Sequence, residues 1–118
     1  ALLDAGLAIP RADYLAALAH AEACRQRFAG DIDGVDLLMV PGALGEAPKA
    51  TSTGYNEFIA MWTILHGPDI AVPAGTGPNG LPLGVQLIGL RGDDARLLRT
   101  ANWLTGHIAG ADERSGTV

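Results

Sequence analysis

The 118-residue sequence has one cysteine, and aromatic residues make up only 5% of it. Lys49 is its sole lysine, and Ser52 and Ser115 are its only serines. Each shortage narrows what the chain can do. A lone Cys24 cannot form an internal disulfide and fits a reducing compartment, so a cytoplasmic location is expected. With 13 acidic residues against 8 basic ones, the net charge is −5 and the arginines form no dense cluster. Such a chain repels phosphate backbones, so nucleic acid is not an expected partner. No apolar run approaches the roughly 20 residues of a membrane span. The N-terminus lacks the basic segment and apolar core of a signal peptide. His20, His66 and His107 lie far apart without metal-ligand spacing, and no metal or other cofactor is expected.

What remains is ordinary globular material. Apolar residues make up 48% of the chain and charged residues 18%, enough for one domain with a core of Ala, Leu, Ile and Val. Ala1 to Gly6 reads as the last turn of a helix, with Gly6 suited to the residue after it. Arg11 to Phe28 reads as a helix with Tyr14, Leu18, Ala21, Cys24 and Phe28 on one apolar stripe. Cys24 lies on that stripe and reads as a small packing residue. Asp36 to Val40 reads as a buried strand stopped by Pro41, and Gly42 to Gly54 as an ordered loop. Tyr55 to Leu65 reads as a helix with Phe58, Ile59, Trp62 and Leu65 facing inward. Ile70 to Val72 and Leu83 to Leu90 read as strands, and the turn residues Pro78, Asn79 and Gly80 favour pairing them as a hairpin. Asp93 and Asp94 open a last helix with Leu97, Leu98, Ala101 and Leu104 on its buried face and Gly106 or Gly110 at its end.

The expected fold class is therefore α/β. It is a small mixed sheet with an antiparallel hairpin, about residues 70–73 with 83–90, packed by three or four helices. Residues 1–110 form the folded part and 111–118 a polar tail.

Three patterns imitate chemistry. Gly75 to Gly80 spells G-x-G-x-x-G after a strand, but a dinucleotide site needs a helix to begin there, and Pro78, Asn79, Gly80 and Pro82 forbid one. Lys49 and Ser52 have the spacing of a base and a nucleophile, yet an exposed loop offers neither a desolvated lysine nor an oxyanion hole. Asp31, Asp33 and Asp36 surround Gly34 but lack the Glu that a calcium loop requires at its twelfth position, where Gly42 stands.

Longer motifs point elsewhere. Gly45-Glu-Ala-Pro48 followed by Thr53-Gly54, then Trp62-Thr63, Val72-Pro-Ala-Gly75 and Gly80-Leu-Pro-Leu-Gly-Val-Gln-Leu-Ile-Gly89, resemble the C-terminal part of the amidase signature family. The likeness runs from about Tyr14 to about Leu104. It implies an enzyme that cleaves carboxylic amides, or one that draws ammonia from glutamine as part of an amidotransferase. In that family a serine attacks the amide carbonyl, activated by a second serine and a lysine. Those residues sit in a G-G-S-S-G-G motif and at an upstream lysine, neither of which this sequence contains. No residue here inherits a catalytic role, and the chain is expected to be a fragment that is inactive alone.

The resemblance implies that this portion supplies sheet strands and one wall of a substrate pocket, with the family's N-terminal portion as its partner. Thr53, Asn56, Phe58, Ile59 and Trp62 are the expected lining. Phe58 and Trp62 read equally well as core, and Gln86 as the bearer of a structural hydrogen bond. His66-Gly67-Pro68-Asp69 departs from the family's usual glycine followed by an apolar residue. A sheet separated from its covering portion leaves open edges and apolar surface, so aggregation or homo-oligomerisation is expected. The competing expectation is a non-catalytic α/β binding or scaffolding module.

Overall fold

The computed structural model describes residues 2–52, 54 and 58–115, with side chains for 3–52, 54 and 58–108. The chain divides into two compact units, Ala1–Asp33 and Gly34–Val118.

In the first unit α1 spans Leu2–Leu7 and α2 spans Arg11–Asp31. Gly6 lies inside α1 rather than after it, and its carbonyl accepts the Ile9 N–H at 3.2 Å. Pro10 is what stops this helix, because it has no N–H to donate and pushes Ile9 out of the helical region. Pro10 then caps α2 with φ −58° and ψ 140°, its carbonyl accepting the Tyr14 N–H at 3.1 Å. α2 passes the expected stop at Phe28 and runs through Gly30, since a helical glycine costs only about 1 kcal/mol, and the chain turns at Gly34, whose φ is +84°. No side chain of α2 is buried. The apolar stripe is exposed at Tyr14 and Leu18 and half-buried at Ala21, Cys24 and Phe28.

The second unit holds β1 (Leu38–Pro41), α3 (Ala60–Leu65), β2 (Asp69–Thr76), β3 (Pro82–Ile88) and α4 (Asp94–Ser115). The α/β class holds, with four helices and one sheet of order β1-β3-β2 among the described residues. Both pairings are antiparallel, so the sheet is not mixed. The expected hairpin is present, with β2 longer than predicted and β3 ending at Ile88, two residues before the expected Leu90; Asp69 lies opposite Ile88 and Thr76 opposite Pro82. A bulge between Pro73 and Gly75 lets β2 run on through the Pro-Ala-Gly segment. β1 includes Pro41 because it is an outer strand of this sheet, where a missing donor is tolerated. Asp36 lies outside β1, and its carboxylate faces Arg96 at 3.6 Å.

Alternation sorts the strands into two faces. Ile70, Val72, Val85 and Leu87 turn toward α4, where Leu97, Ala101 and Leu104 complete the core. Leu87 and Ile88 are fully buried, each worth about 1.5–3 kcal/mol relative to exposure. Leu98, expected in this core, is 57% exposed. A helix advances about 100° per residue, so the Leu97–Ala101–Leu104 stripe carries Leu98 round to its flank. α4 also continues past Gly106 and Gly110 to Ser115. A helical glycine costs only about 1 kcal/mol, and no proline follows to end the helix.

Candidate functional site

The expected pocket wall begins in the loop after β1. The Gly42 N–H donates to the Gly84 carbonyl at 3.0 Å, prolonging the β1–β3 pairing before the chain leaves the sheet. Glu46 then reaches across to the β2–β3 connection. Its carboxylate accepts the Asn79 N–H at 2.8 Å, the Asn79 Nδ2–H at 2.5 Å and the Leu81 N–H at 3.2 Å. Those donors stabilise the ionised form. The Asn79 side-chain amide is the main cause that holds Glu46 below the ordinary value of 4.5, with the two backbone N–H groups assisting.

The connection itself is built from turn residues. The Gly80 N–H donates to the Gly77 carbonyl at 3.0 Å and the Gly77 N–H to the Leu81 carbonyl at 2.9 Å, with Gly80 at φ +82°. The G-x-G-x-x-G pattern is thus a bulged strand end and a hairpin turn, with no helix N-terminus to receive a pyrophosphate. Gly77 has a second role. A Cβ there would overlap Glu46, so only glycine lets the carboxylate lie against the turn.

Lys49 and Ser52 form a turn of their own. The Ser52 N–H donates to the Lys49 carbonyl at 3.0 Å, and the Ser52 Oγ accepts the Gly54 N–H at 3.1 Å. The serine oxygen serves the backbone on an exposed loop, and no hydrogen bond joins it to a basic side chain among the described residues.

Of the expected lining, Thr53 and Asn56 lie outside the described residues, as does the start expected for the helix at Tyr55. Phe58 and Ile59 form a turn before α3, Phe58 half-buried and Ile59 43% exposed. Trp62, in the first turn of α3, is 5% exposed. α3 ends at His66, a non-glycine residue in the left-handed region with φ 58° and ψ 24°. Gly67 follows and approaches the second strand of the hairpin, where a Cβ would sit 2.7 Å from the Gly89 carbonyl oxygen. The Gly89 N–H donates to the Pro68 carbonyl at 2.9 Å, so His66-Gly67-Pro68 is pinned to the end of β3. His66 and Asp69 both face solvent.

Gln86 is 5% exposed, on the sheet face opposite α4, and its Oε1 accepts no hydrogen bond from the described residues. His107 donates from Nδ1 to the Trp103 carbonyl at 2.8 Å, and His20 Nε2 lies 3.7 Å from Cys24 Sγ. No cluster of His, Cys, Asp or Glu among the described residues could hold a metal ion. None of their helices is long and apolar enough to cross a membrane.

Glu46 is the residue that reasoning from sequence passed over, noticed only as part of the Gly45–Pro48 motif. Its partners stand more than thirty positions away, so no local pattern exposes them. The available signal was an acidic side chain in a loop of small residues, with a distant glycine-rich turn offering free N–H groups.

Comparison with known proteins bears on the family and the fold. The family model for amidases matches residues 4–98. A glutamyl-tRNA(Gln) amidotransferase subunit from Parvibaculum lavamentivorans is 38% identical over 75% of this chain and 20% of its own length. Its counterpart from Roseobacter denitrificans is 42% identical over 58% of this chain and 16% of its own length. A crystal structure of an amidase superposes with a TM-score of 0.78 and 30% identity, over 89% of this chain and 27% of that one. The chain thus spans about a fifth or less of these two sequence relatives. With the family model matching from Asp4 to Leu98 and the fold superposing over nearly all of the chain, this protein belongs to the amidase family.

Proposed function

We propose that the chain is the C-terminal part of an enzyme that hydrolyses a carboxylic amide by serine chemistry. The observation that carries this reading is the amidase match across residues 4–98. The chain brings no nucleophile of its own. Ser52 Oγ is engaged by the Gly54 N–H, Ser115 stands among the closing residues, and no paired-serine motif occurs in the sequence. Its contribution is structural: the antiparallel sheet, and one wall of the pocket from Thr53, Asn56, Phe58 and Ile59, backed by Trp62. The exposure of Ile59 and half-burial of Phe58 support that wall, since a binding surface needs apolar side chains that the core has not consumed. The substrate is a small molecule with an amide group, and the enzyme works in the cytoplasm.

The test is to express the whole reading frame that encodes these residues and to follow ammonia release from a panel of simple carboxamides. Release by the full product, with none from the 118 residues alone, is the expected result. Turnover by the isolated 118 residues would overturn the proposal, and a full product inert toward every amide would favour a binding or scaffolding module.

A second reading has its own support. Several similar proteins are components of a glutamyl-tRNA(Gln) amidotransferase. Under that reading the amide is glutamine, and ammonia release by the full product rises when its companion proteins are added.

A further inference from the structure

We propose that Glu46 is a releasable latch, whose ionised carboxylate holds the loop 42–52 on the β2–β3 turn and whose neutralisation frees it. The latch requires no catalytic role for the chain and goes beyond the amidase reading.

Three observations carry it. The carboxylate uses both oxygens, Oε1 on the Asn79 and Leu81 N–H groups and Oε2 on the Asn79 side-chain amide. Apart from these, no hydrogen bond joins residues 43–52 to residues 77–81 among the described residues. Gly77 is shaped for the latch, because a Cβ at that position would take the volume of the Glu46 Cγ and carboxyl group.

Chemistry explains why the latch responds to charge. An ionised carboxylate is acceptor-only and meets three donors with no surplus proton. A protonated carboxyl, or a glutamine, loses the charge that strengthens all three bonds and sets a donor where the Asn79 Nδ2 group needs an acceptor, so the backbone N–H groups of Asn79 and Leu81 are held less firmly as well. The site lies at the surface, so protons reach it. In the loop and the turn the one other titratable side chain among the described residues is Lys49. In the acid range the lysine keeps its charge, so the change of charge at this junction is that of Glu46.

The experiment is amide hydrogen exchange by NMR on the full product of the reading frame that encodes these residues and on two variants of it, Glu46→Gln and Gly77→Ala. The first neutralises the carboxylate, and the second displaces it without changing its ionisation. Each variant is expected to lower protection at Asn79 and Leu81 by about fivefold or more, while the core amides of β3 keep theirs. In the unaltered chain, the Asn79 and Leu81 amide shifts are expected to titrate together with the Glu46 carboxyl resonance. Unchanged protection at Asn79 and Leu81 in both variants overturns the latch. Should both variants lose their fold, the shift titration decides: amides that do not follow Glu46 overturn it, and amides that do support it.

Discussion

A glycine can be required for what it lacks, and two in this chain make the point in different ways. At Gly67 the obstacle to a side chain is backbone, the Gly89 carbonyl oxygen 2.7 Å from the would-be Cβ. That backbone is itself fixed by the bond from the Gly89 N–H to Pro68, so it cannot give way cheaply. Gly67→Ala should therefore cost about 1–3 kcal/mol of stability, read as a lower midpoint in thermal unfolding. At Gly77 the obstacle is a flexible side chain, and the effect falls on Glu46 instead of the fold. Glu46 carries a pH dependence of its own. Its carboxyl is held below the ordinary 4.5 in the folded chain, so folding disfavours its protonation. The stability it adds is fully present above pH 4.5 and disappears as pH falls through the lower folded value. Unfolding by urea at stepped pH should show stability falling below pH 4.5, and the Glu46→Gln variant should show a shallower fall. A fall of equal steepness in the variant would mean that other carboxylates set it. Neither glycine's reason was legible in the sequence, since each is decided by an atom from a distant strand or loop.

Elements were more legible than their boundaries. Pro78-Asn79-Gly80 between two apolar runs identified the β2–β3 hairpin, because those residues favour a tight turn wherever they stand. The paired Asp93 and Asp94 marked a helix start for an equally local reason. The misplacements have tertiary causes. Whether Pro41 ends a strand depends on which side of β1 is paired, and only the sheet order supplies that. Gly106 and Gly110 weaken a helix without breaking it, and α4 continues through both. α4 also offers a direct test of which face is buried. Leu97 lies in the core against the sheet, whereas the adjacent Leu98 points mostly to solvent. Leu97→Ala is expected to cost about 2–4 kcal/mol, and Leu98→Ala to stay within about 0.5 kcal/mol. Chemical denaturation of the two variants measures both, and equal losses would show that the helix face is misassigned.

For the molecule as a whole, exposed apolar side chains dominate the solution behaviour to be expected. Leu3, Leu7, Ile9, Tyr14, Leu15 and Leu18 are exposed in the first unit, and Met39, Leu44, Met61 and Ile64 in the second. Within the described sheet β1 and β2 each have one strand neighbour, and a free edge is a template for pairing. Light scattering on the isolated chain should give a mass above that of the monomer that rises with concentration; a constant monomeric mass would mean these surfaces are inert. The candidate site is less legible at this scale than the fold, since Thr53, Asn56, Phe58, Ile59 and Trp62 were chosen by family likeness and not from any pattern that forces a cleft. The strand order has a further consequence, for the time course of folding. β2 and β3 pair residues as close in sequence as Thr76 and Pro82, while β1 must find partners as distant as Ile88 is from Leu38. Closing the longer loop carries the larger entropic cost. The hairpin is thus the natural nucleus, and β1 joins an edge already formed. Substitutions in β3 should slow refolding, whereas those in β1 should chiefly speed unfolding.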